Sequence, residues 1–259
     1  MNLPSPKRSF GQNYLVNPSA IEVIVRETLE SPAPEVLEIG PGRGALTQAL
    51  LRDGRPVHAI EMDPEHHAYL ATTLAACPHF HLHQGDAVSL PLPARGPFSV
   101  VGNLPYHVAT AILTRFLLEE IPWERLVFMF QKEVGDKLLG EASDKAYGPL
   151  SILLQLCTQA RTLLHLKAGS FWPVPKIDSV VLTLRPRQPS LTLIQRHHLR
   201  TWLHVSFAHR RKTLRNNWQG HPHEDRFLRA LEAVGVSDQS RAESITPELW
   251  ARLIQQATP

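Results

Sequence analysis

The sequence predicts an α/β protein with a doubly wound sheet, followed by a small all-α domain at the C-terminus. Short apolar runs rich in β-branched residues alternate with helical patterns through the first two thirds of the 259 residues. Several runs end in glycine or a carboxylate, which is typical of the ligand-binding edge of open α/β sheets. From Thr192 onward the spacing is helical, so we predict one domain over residues 1–188 and another over residues 189–259.

The composition is that of an ordinary globular protein, with 43% hydrophobic and 20% charged residues. Cys77 and Cys157 are the only cysteines, so neither a disulfide framework nor a zinc cluster is indicated, and no metal ligands are assigned. The first eight residues are polar and proline-rich, and no run of 18 apolar residues follows. A cytoplasmic protein that does not enter membranes is therefore expected.

Charge is unevenly distributed along the chain. Residues 1–189 hold 17 Lys and Arg against 18 Asp and Glu, whereas residues 190–259 hold 10 against 6. Four of the basic residues fall within six positions, namely Arg210, Arg211, Lys212 and Arg215. Neighbouring Asn and Thr donors make this cluster suitable for phosphate contacts, although a solvated basic face would show the same pattern. With a pI near 9.0, binding to nucleic acid should weaken as salt increases.

The N-terminal residues 8–15 have no clear period, and their two aromatics flank Gly-Gln-Asn. This segment is expected either to fold over a ligand or to pack Phe10 and Tyr14 on the core. Helical spacing then covers residues 18–29, with Asn17 as the predicted N-cap.

A strand at residues 36–39 runs into the glycine loop Gly40-Pro41-Gly42-Arg43-Gly44 and a helix over residues 45–52. Glycines in such a loop let the backbone approach a ligand closely. The next strand, residues 57–60, ends in Glu61, and a carboxylate at that place can accept both hydroxyls of a ribose. Loop and acid together favour a nucleoside-cofactor site over a plain strand-turn-helix with a surface glutamate.

A helix over residues 64–76 precedes an alternating run from His79 to His83, whose three histidines would share one face of a strand. They could chelate a metal, but no other ligand type shares that face, so a solvated histidine face is favoured. Asp86 follows at the third strand end. It could accept from the exocyclic amine of an adenine, or it could belong to a surface turn.

The stretch Gly102 to Tyr106 points to chemistry on an exocyclic amino group, since it follows an apolar run that should be a buried strand. The side-chain oxygen of Asn103 and a backbone carbonyl, of Leu104 or Pro105, could accept both protons of such a group. Pro105 would fix the turn, and Tyr106 could stack on an extruded base. In the alternative interpretation, Asn103 only caps the helix that follows.

The segment Phe171-Trp172-Pro173-Val174-Pro175-Lys176 predicts a stiff aromatic loop. It could hold a flipped base, with Phe171 as the candidate contact, or it could fill an edge of the core. The other predicted elements are helices over residues 108–118, 147–159, 192–208, 223–234 and 247–256, and strands at residues 126–130 and 179–184.

Taken together, these segments resemble the ribosomal RNA adenine N6,N6-dimethyltransferase family, most closely its KsgA-type small-subunit branch, along essentially the whole chain. The matching segments are Phe10 to Leu15, Glu38 to Gly42, Ile60 to Asp63, Gly85 to Ala87, Asn103 to Tyr106, Gln131 to Glu133, Ala146 to Gly148, Phe171 to Asp178 and Arg211 to Thr213. In this order they are highly specific. His107, where the family often has Asn, and Trp172 depart from the pattern, and they put only fine positioning in doubt.

The resemblance implies a class I S-adenosylmethionine-dependent methyltransferase of Rossmann-like fold with a helical domain that contacts RNA. The residues that it assigns to the cofactor are Asn13, Leu15, Gly40, Glu61, Asp86 and Asn103. The implied substrate is a pair of adjacent adenosines in a loop near the 3′ end of small-subunit (16S) rRNA, free or in the assembling 30S subunit. A monomer is expected, with direct methyl transfer to N6 and no covalent enzyme intermediate.

Three other functions share parts of this pattern. The large-subunit rRNA methyltransferase that confers macrolide resistance has the same cofactor motifs, but Tyr147-Gly148 and Arg241 to Ile245 favour the small-subunit branch. A largely non-catalytic ribosome assembly factor would keep the fold, although the intact run Asn103 to Tyr106 argues against binding alone. A transcription accessory protein of the organellar kind would instead bind an RNA polymerase.

Overall fold

The computed structural model describes residues 3–7, 11–92, 96–188 and 190–257, without the side chains of Tyr106 and His107. Phe10 of the predicted N-terminal arm lies outside these residues. The strands are β1 (Tyr14–Leu15), β2 (Glu35–Ile39), β3 (Val57–Glu61), β4 (Phe80–Gln84), β5 (Phe98–Gly102), β6 (Trp123–Gln131), β7 (Thr158–Leu166), β8 (Phe171–Trp172) and β9 (Ser179–Pro186). Seven of them form one sheet, in the order β4-β3-β2-β5-β6-β9-β7, and β1 pairs with β8.

The five strands from β4 to β6 in that order are parallel, and β9 runs antiparallel to β6. Every residue of β5 is buried, as expected of a central parallel strand that is covered on both faces. Because β2 and β5 are adjacent and the next strand after each lies towards the opposite edge of the sheet, their carboxyl ends bound a crevice. The predicted doubly wound α/β fold is thus confirmed.

The helices are α1 (Pro18–Leu29), α2 (Ala45–Leu50), α3 (Pro64–Thr73), α4 (Tyr106–Leu118), α5 (Lys132–Leu138), α6 (Pro149–Cys157), α7 (Leu193–Ser206), α8 (Leu214–Trp218), α9 (Glu224–Ala233) and α10 (Pro247–Ala257). The Asn17 side chain caps α1 by accepting from the N–H of Ala20 at 3.1 Å, as predicted. The helix predicted over residues 147–159 is shorter, because the backbone of Thr158 is already extended and begins β7.

Contacts divide the chain into two compact units. The first comprises residues 1–116, 121–135 and 161–185, and the second comprises residues 117–120, 136–160 and 186–259. The second unit therefore contains α6 as well as the C-terminal helices. The domain boundary predicted between residues 188 and 189 stays a prediction, because compactness does not test which segment folds or acts independently.

The second unit has an aromatic core. The rings of Trp218 and Phe227 are stacked with centroids 4.1 Å apart, and Trp202 packs edge-on against both. The indole N–H of Trp218 donates to Ser206 Oγ at 2.8 Å, so burial leaves this donor satisfied. Among the described residues, no helix is both long and apolar enough to cross a membrane.

Candidate active site

A cavity of about 270 Å³ lies at the carboxyl ends of the parallel strands β2, β3 and β5. Ligands bind at this edge of open α/β sheets. The wall includes all six residues predicted to contact the cofactor, which are Asn13, Leu15, Gly40, Glu61, Asp86 and Asn103. The structure thus brings together residues that are up to 90 positions apart in the sequence.

The glycine loop after β2 forms one wall of the cavity. Gly40, Gly42 and Gly44 have φ angles of 67°, 55° and 81°, which residues with a Cβ rarely adopt. A Cβ on Gly42 would lie 3.4 Å from the Tyr14 ring. The N–H of Gly42 also donates to Glu61 Oε2 at 3.0 Å. Glycines here let the loop lie close to both the N-terminal arm and the carboxylate at the end of β3.

Glu61 lies at the end of β3, where the sequence predicted a ribose contact. Its Oε1 accepts from the backbone N–H of Asp63 at 2.8 Å, and its Oε2 accepts from Gly42. Burial raises the pKa of Glu61, and these two hydrogen bonds oppose the rise. Each carboxylate oxygen keeps a lone pair, so Glu61 can still accept two hydroxyl protons from a ligand.

Two further carboxyl groups line the cavity. Glu38 is 1% exposed and accepts from Thr47 Oγ1 at 2.6 Å. Burial raises the pKa of Glu38 to about 7, although the hydrogen bond from Thr47 opposes this change. Asp86, which follows β4, accepts from the N–H of Val88 at 2.9 Å. Together with Glu61, these groups suit a ligand that carries positive charge, hydroxyls and an amine.

The N-terminal arm, residues 11–15, covers the cavity and is fastened by one buried carboxylate. Asp63 accepts from Lys7 Nζ at 2.8 Å and from Gln12 Nε2 at 2.9 Å. It also accepts from the Glu65 N–H at 3.0 Å and lies 2.9 Å from the His66 ring. Burial raises the pKa of Asp63, but the hydrogen bonds from Lys7 and Gln12 outweigh it and hold the pKa well below its usual range. Asp63 therefore acts as an anionic anchor for the arm.

Asn103 lies between β5 and α4, in the wall of the cavity. Its Nδ2 donates to the backbone carbonyl of Asn13 at 2.8 Å, because the arm crosses the end of β5. This hydrogen bond fixes the amide nitrogen on the arm. The side-chain oxygen of Asn103 is consequently the atom of this amide that can accept from a ligand.

The next three residues connect Asn103 to α4. Leu104 and Pro105 line the cavity, and Leu104 is 2% exposed. The carbonyl of Pro105 accepts from the N–H groups of Val108 and Ala109, at 3.0 and 3.2 Å. Tyr106 begins α4, two residues before the predicted start, but its side chain lies outside what the structure describes. Its predicted stacking on a base therefore stays a prediction.

The aromatic loop has one ring in the core and one at the surface. Phe171 and Trp172 form β8 and pair with Leu15 and Tyr14 of β1. Neighbouring residues of a strand point to opposite faces, so Phe171 is 2% exposed within the apolar core and Trp172 is 46% exposed. The cavity wall, as far as the structure describes it, does not include Phe171. The predicted contact between Phe171 and a base stays a prediction that its position does not favour.

The four predicted phosphate contacts fall into two pairs. Arg210 donates to a backbone carbonyl oxygen at 2.7 Å, and Arg215 forms an ion pair with Asp238. Arg211 and Lys212 are exposed, and their side chains have no hydrogen bond or ion pair with any residue that the structure describes. Only the second pair is therefore available to phosphates without breaking a contact.

The histidine face on β4 is not simply solvated, because His58 of β3 packs against it. The His58 ring lies 4.8 Å from that of His81, and its Nδ1 is 3.3 Å from His83 Nε2. Burial lowers the pKa values of His58 and His83. Within the described part of the chain, no group of three or more His, Cys, Asp or Glu side chains is placed to hold a metal ion.

Arg43 and Asp63 are parts of the site that the sequence did not reveal. Arg43 Nε and Nη2 both donate to the carbonyl of Pro4, at 3.0 and 2.7 Å. Its guanidinium lies 4.3 Å from the Tyr14 ring centre and 4.6 Å from that of Trp172. An arginine inside a glycine loop has no spacing that indicates such partners. Asp63 belongs to a matching family segment, which was the available signal.

Fold and cavity together define a class I methyltransferase, because the strand-end carboxylates and glycine loop match what a cationic nucleoside cofactor requires. A family model described as "Ribosomal RNA adenine dimethylase" matches residues 4–258. The chain belongs to this family. It is an enzyme that uses S-adenosylmethionine, as its resemblance implied.

Individual relatives agree with this assignment. The chain is 38% identical to "Ribosomal RNA small subunit methyltransferase A" of Myxococcus xanthus, over 95% of this chain and 89% of the relative. A crystal structure of a dimethyladenosine transferase from Plasmodium falciparum has a TM-score of 0.79 at 23% identity, covering 92% of this chain and 95% of the other, and shows the same fold. The 23S rRNA methyltransferase ErmE has a TM-score of 0.65 at 26% identity, covering 92% and 98%.

Proposed function

We propose that the protein transfers methyl groups from S-adenosylmethionine to N6 of two adjacent adenosines in a loop near the 3′ end of small-subunit rRNA. The product is N6,N6-dimethyladenosine, made during ribosome biogenesis. Family membership supports the reaction, and the name of the Myxococcus xanthus relative supports the small-subunit target. The observation that carries the proposal is the hydrogen bond from Asn103 Nδ2 to the Asn13 carbonyl, which leaves an oxygen acceptor in the cavity wall.

The chain's own contribution is to activate and aim the adenine amine. When bound, S-adenosylmethionine supplies an electrophilic methyl group. N6 of adenine is a weak nucleophile, because its lone pair is delocalised into the ring. Asn103 Oδ1 and a backbone carbonyl accept the two N6 protons and stabilise the positive charge that develops there. Since the Pro105 carbonyl already accepts from α4, we assign the second acceptor to the carbonyl of Leu104.

The cofactor site uses the six predicted residues, all of which line the cavity. Glu61 accepts from the ribose hydroxyls and Asp86 from the adenine amine. At Gly40, the backbone of the glycine loop can lie close to the cofactor. Asn13, Leu15 and Asn103 line the same cavity and are the other three of the six. The carboxyl groups of Glu61 and Asp86 favour a cofactor with a sulfonium charge. The fit therefore rests on hydrogen-bond acceptors of this chain.

The basic tail, residues 190–259, contacts the RNA backbone. Arg211 and Lys212 bind phosphates, whereas Arg210 and Arg215 hold the second unit together through their internal partners. The protein acts as a monomer in the cytoplasm, on free rRNA or on the assembling 30S subunit. Its basic tail supports the RNA substrate, because Lys and Arg side chains bind the phosphate backbone.

Methylation of large-subunit rRNA is the second candidate, because the likeness to ErmE extends over nearly the whole chain. Two segments that favour the small-subunit branch meet in the second unit. The Tyr147 hydroxyl donates to the Ile245 carbonyl at 2.7 Å, and the Ser143 N–H donates to the Glu243 carbonyl at 2.8 Å. The two segments thus pack together in this chain, while the name of the Myxococcus xanthus relative favours the small-subunit target.

Methyl transfer to unmodified small ribosomal subunits, followed with labelled S-adenosylmethionine, tests the proposal. Asn103→Ala should lower kcat by roughly 100-fold or more, as expected when one transition-state partner is removed, and should weaken cofactor binding. Gln159→Ala is the control, because it removes an exposed amide that does not line the described cavity. A wild-type rate for Asn103→Ala would contradict the proposed mechanism.

A further inference from the structure

Several exposed apolar side chains occur beside the β1 and β8 ladder and in the loop that follows it. They are Val16 (51% exposed), Trp172 (46%), Val174 (64%) and Ile177 (42%). Trp172 is the aromatic member. Trp is enriched at binding interfaces, and this residue is paired through the ladder with Tyr14, which lines the cavity.

The Trp172 ring is held in a defined place. It stacks on Tyr14 with an interplanar angle of 21° and centroids 6.2 Å apart. The Arg43 guanidinium lies 4.6 Å from its centre, and two hydrogen bonds to the Pro4 carbonyl fix that guanidinium. Both Tyr14 and Arg43 line the cavity. The ring is thus oriented by residues of the cavity wall, while nearly half of it faces solvent.

A role in filling the core does not explain this position. Phe171, the preceding residue, already packs into the core at 2% exposure, and strand alternation turns Trp172 to the opposite face. Exposed aromatic rings beside cations are the usual platforms for unpaired nucleobases, because every base offers a π face. RNA is read mainly through such unpaired bases in loops.

We propose that Trp172 stacks on an unpaired nucleobase of the RNA substrate at the mouth of the cavity, with Arg43 as the residue that positions the indole. The proposal rests on the proposed function and deepens it. The substrate must present an unpaired base beside the adenosine to be methylated, and Trp172 determines how well such a loop is bound. Arg43 acts through the orientation of the ring.

Steady-state kinetics on unmodified small ribosomal subunits provide the first test. Trp172→Ala should raise the KM for RNA by roughly 5- to 150-fold, the range for loss of one stacked base, with the KM for S-adenosylmethionine unchanged. Trp172→Phe should recover most of the affinity because it restores a π face. Val174→Ala, in the same loop and more exposed, is the matched control and should behave as wild type.

An unchanged KM for RNA in Trp172→Ala would overturn the proposal. An equal rise in the KM for S-adenosylmethionine would do the same, because it would show that the ring only supports the N-terminal arm. If the wild-type protein methylates no small-subunit RNA, it is the proposed function that fails, and the binding test below still decides the role of Trp172.

Direct binding is measured by acrylamide quenching of tryptophan fluorescence, taken as the difference between wild type and Trp172→Phe. The other four tryptophans, Trp123, Trp202, Trp218 and Trp250, are present in both proteins and cancel in this difference. Single-stranded oligoadenylate should protect Trp172, whereas inorganic polyphosphate, which has charge but no bases, should not. Equal protection by both, or by neither, would overturn the proposal. Arg43→Gln should increase quenching in the free protein. Unchanged quenching would show that Arg43 does not position the indole.

Discussion

Glu38 is a carboxyl group enclosed within the first unit, with the Thr47 hydroxyl as its donor. Burial raises its pKa from the ordinary value of 4.5 to about 7, against the effect of that hydrogen bond. Between these two values the native protein holds one proton more than the unfolded chain. The contribution of Glu38 to the free energy of unfolding is therefore fully present below pH 4.5, falls as pH rises to about 7, and is constant above.

Glu38→Gln should remove this pH dependence. Relative to wild type, the free energy of unfolding of the variant should increase by about 3 kcal/mol between acidic and mildly alkaline solution. Urea denaturation at several pH values measures the difference. Glu22→Gln, which changes an exposed glutamate of α1, should follow wild type. The same pH dependence of the free energy of unfolding in wild type and Glu38→Gln would contradict the raised pKa of Glu38.

Gly102 is a second residue that depends on its neighbours, because they leave no room for a Cβ. A Cβ there would lie 2.9 Å from the carbonyl oxygen of Ile39 on β2 and 2.6 Å from a methyl of Leu104. Because the Ile39 contact is with backbone, the strand end must move. Gly102→Ala should lower stability by about 1 to 3 kcal/mol and reduce methylation. Gly169→Ala is the control, because nothing lies within 4 Å of a Cβ at that position. Equal melting temperatures for Gly102→Ala and wild type would show that a Cβ at residue 102 is not crowded.

Some residues of the site could be predicted from the sequence, and others could not. Glu61, Asp86 and Asn103 could be placed from sequence, because the ends of parallel strands meet at one edge of a sheet. Phe171 and Trp172 could not be told apart, since the sequence does not say which of two adjacent aromatics faces the core. Arg43 could not be predicted either, as its partners depend on the path of the arm.

At the scale of elements, the N-terminal arm depends on Asp63. Asp63→Asn keeps one oxygen to accept from the Glu65 N–H but loses the charge that holds Lys7 and one acceptor for Gln12. Because charge-assisted hydrogen bonds contribute about 1.5 to 3 kcal/mol, the arm should loosen and the Kd for S-adenosylmethionine should rise roughly tenfold or more. Calorimetric titration measures the affinity.

The control for the arm is Glu65→Gln. Glu65 also lies near Lys7 Nζ, at 3.0 Å, but it is 61% exposed, so solvent screens the pair. Its loss should leave cofactor affinity close to that of wild type. Equal affinities for Asp63→Asn and wild type would show that Asp63 does not fasten the arm to the cavity.

The regular elements were predictable where their period was long. The parallel strands and α1, α7, α9 and α10 follow the hydrophobic pattern, with ends shifted by only a few residues. The ladder of β1 and β8 was not predictable, because two residues have no period and their partners are distant in sequence. Helix α5 was missed because Gly135 lies within it, where a Cβ would meet Val180 Cγ1 at 2.1 Å. Gly135 therefore lets α5 pack closely against Val180 and does not end the helix.

Over the whole molecule, the basic tail should make RNA binding sensitive to salt. Arg211→Ala and Lys212→Ala should each weaken binding of small-subunit rRNA and reduce the slope of log affinity against log salt by about one. Arg210→Ala should instead lower the melting temperature, because Arg210 donates to the Tyr147 carbonyl. Filter binding at several salt concentrations measures the slopes. Affinity that does not change between low and moderate salt would contradict phosphate contacts by the tail.

The most direct test of the central claim is mass spectrometry of nucleosides from unmodified small ribosomal subunits and from unmodified large-subunit RNA, each incubated with the protein and S-adenosylmethionine. We predict N6,N6-dimethyladenosine in small-subunit rRNA alone, with almost none from Asn103→Ala. The same nucleoside in large-subunit RNA alone would contradict the small-subunit target. Its absence from both RNAs, with cofactor binding confirmed, would contradict the enzymatic function and favour a factor that binds ribosomal precursors or an RNA polymerase.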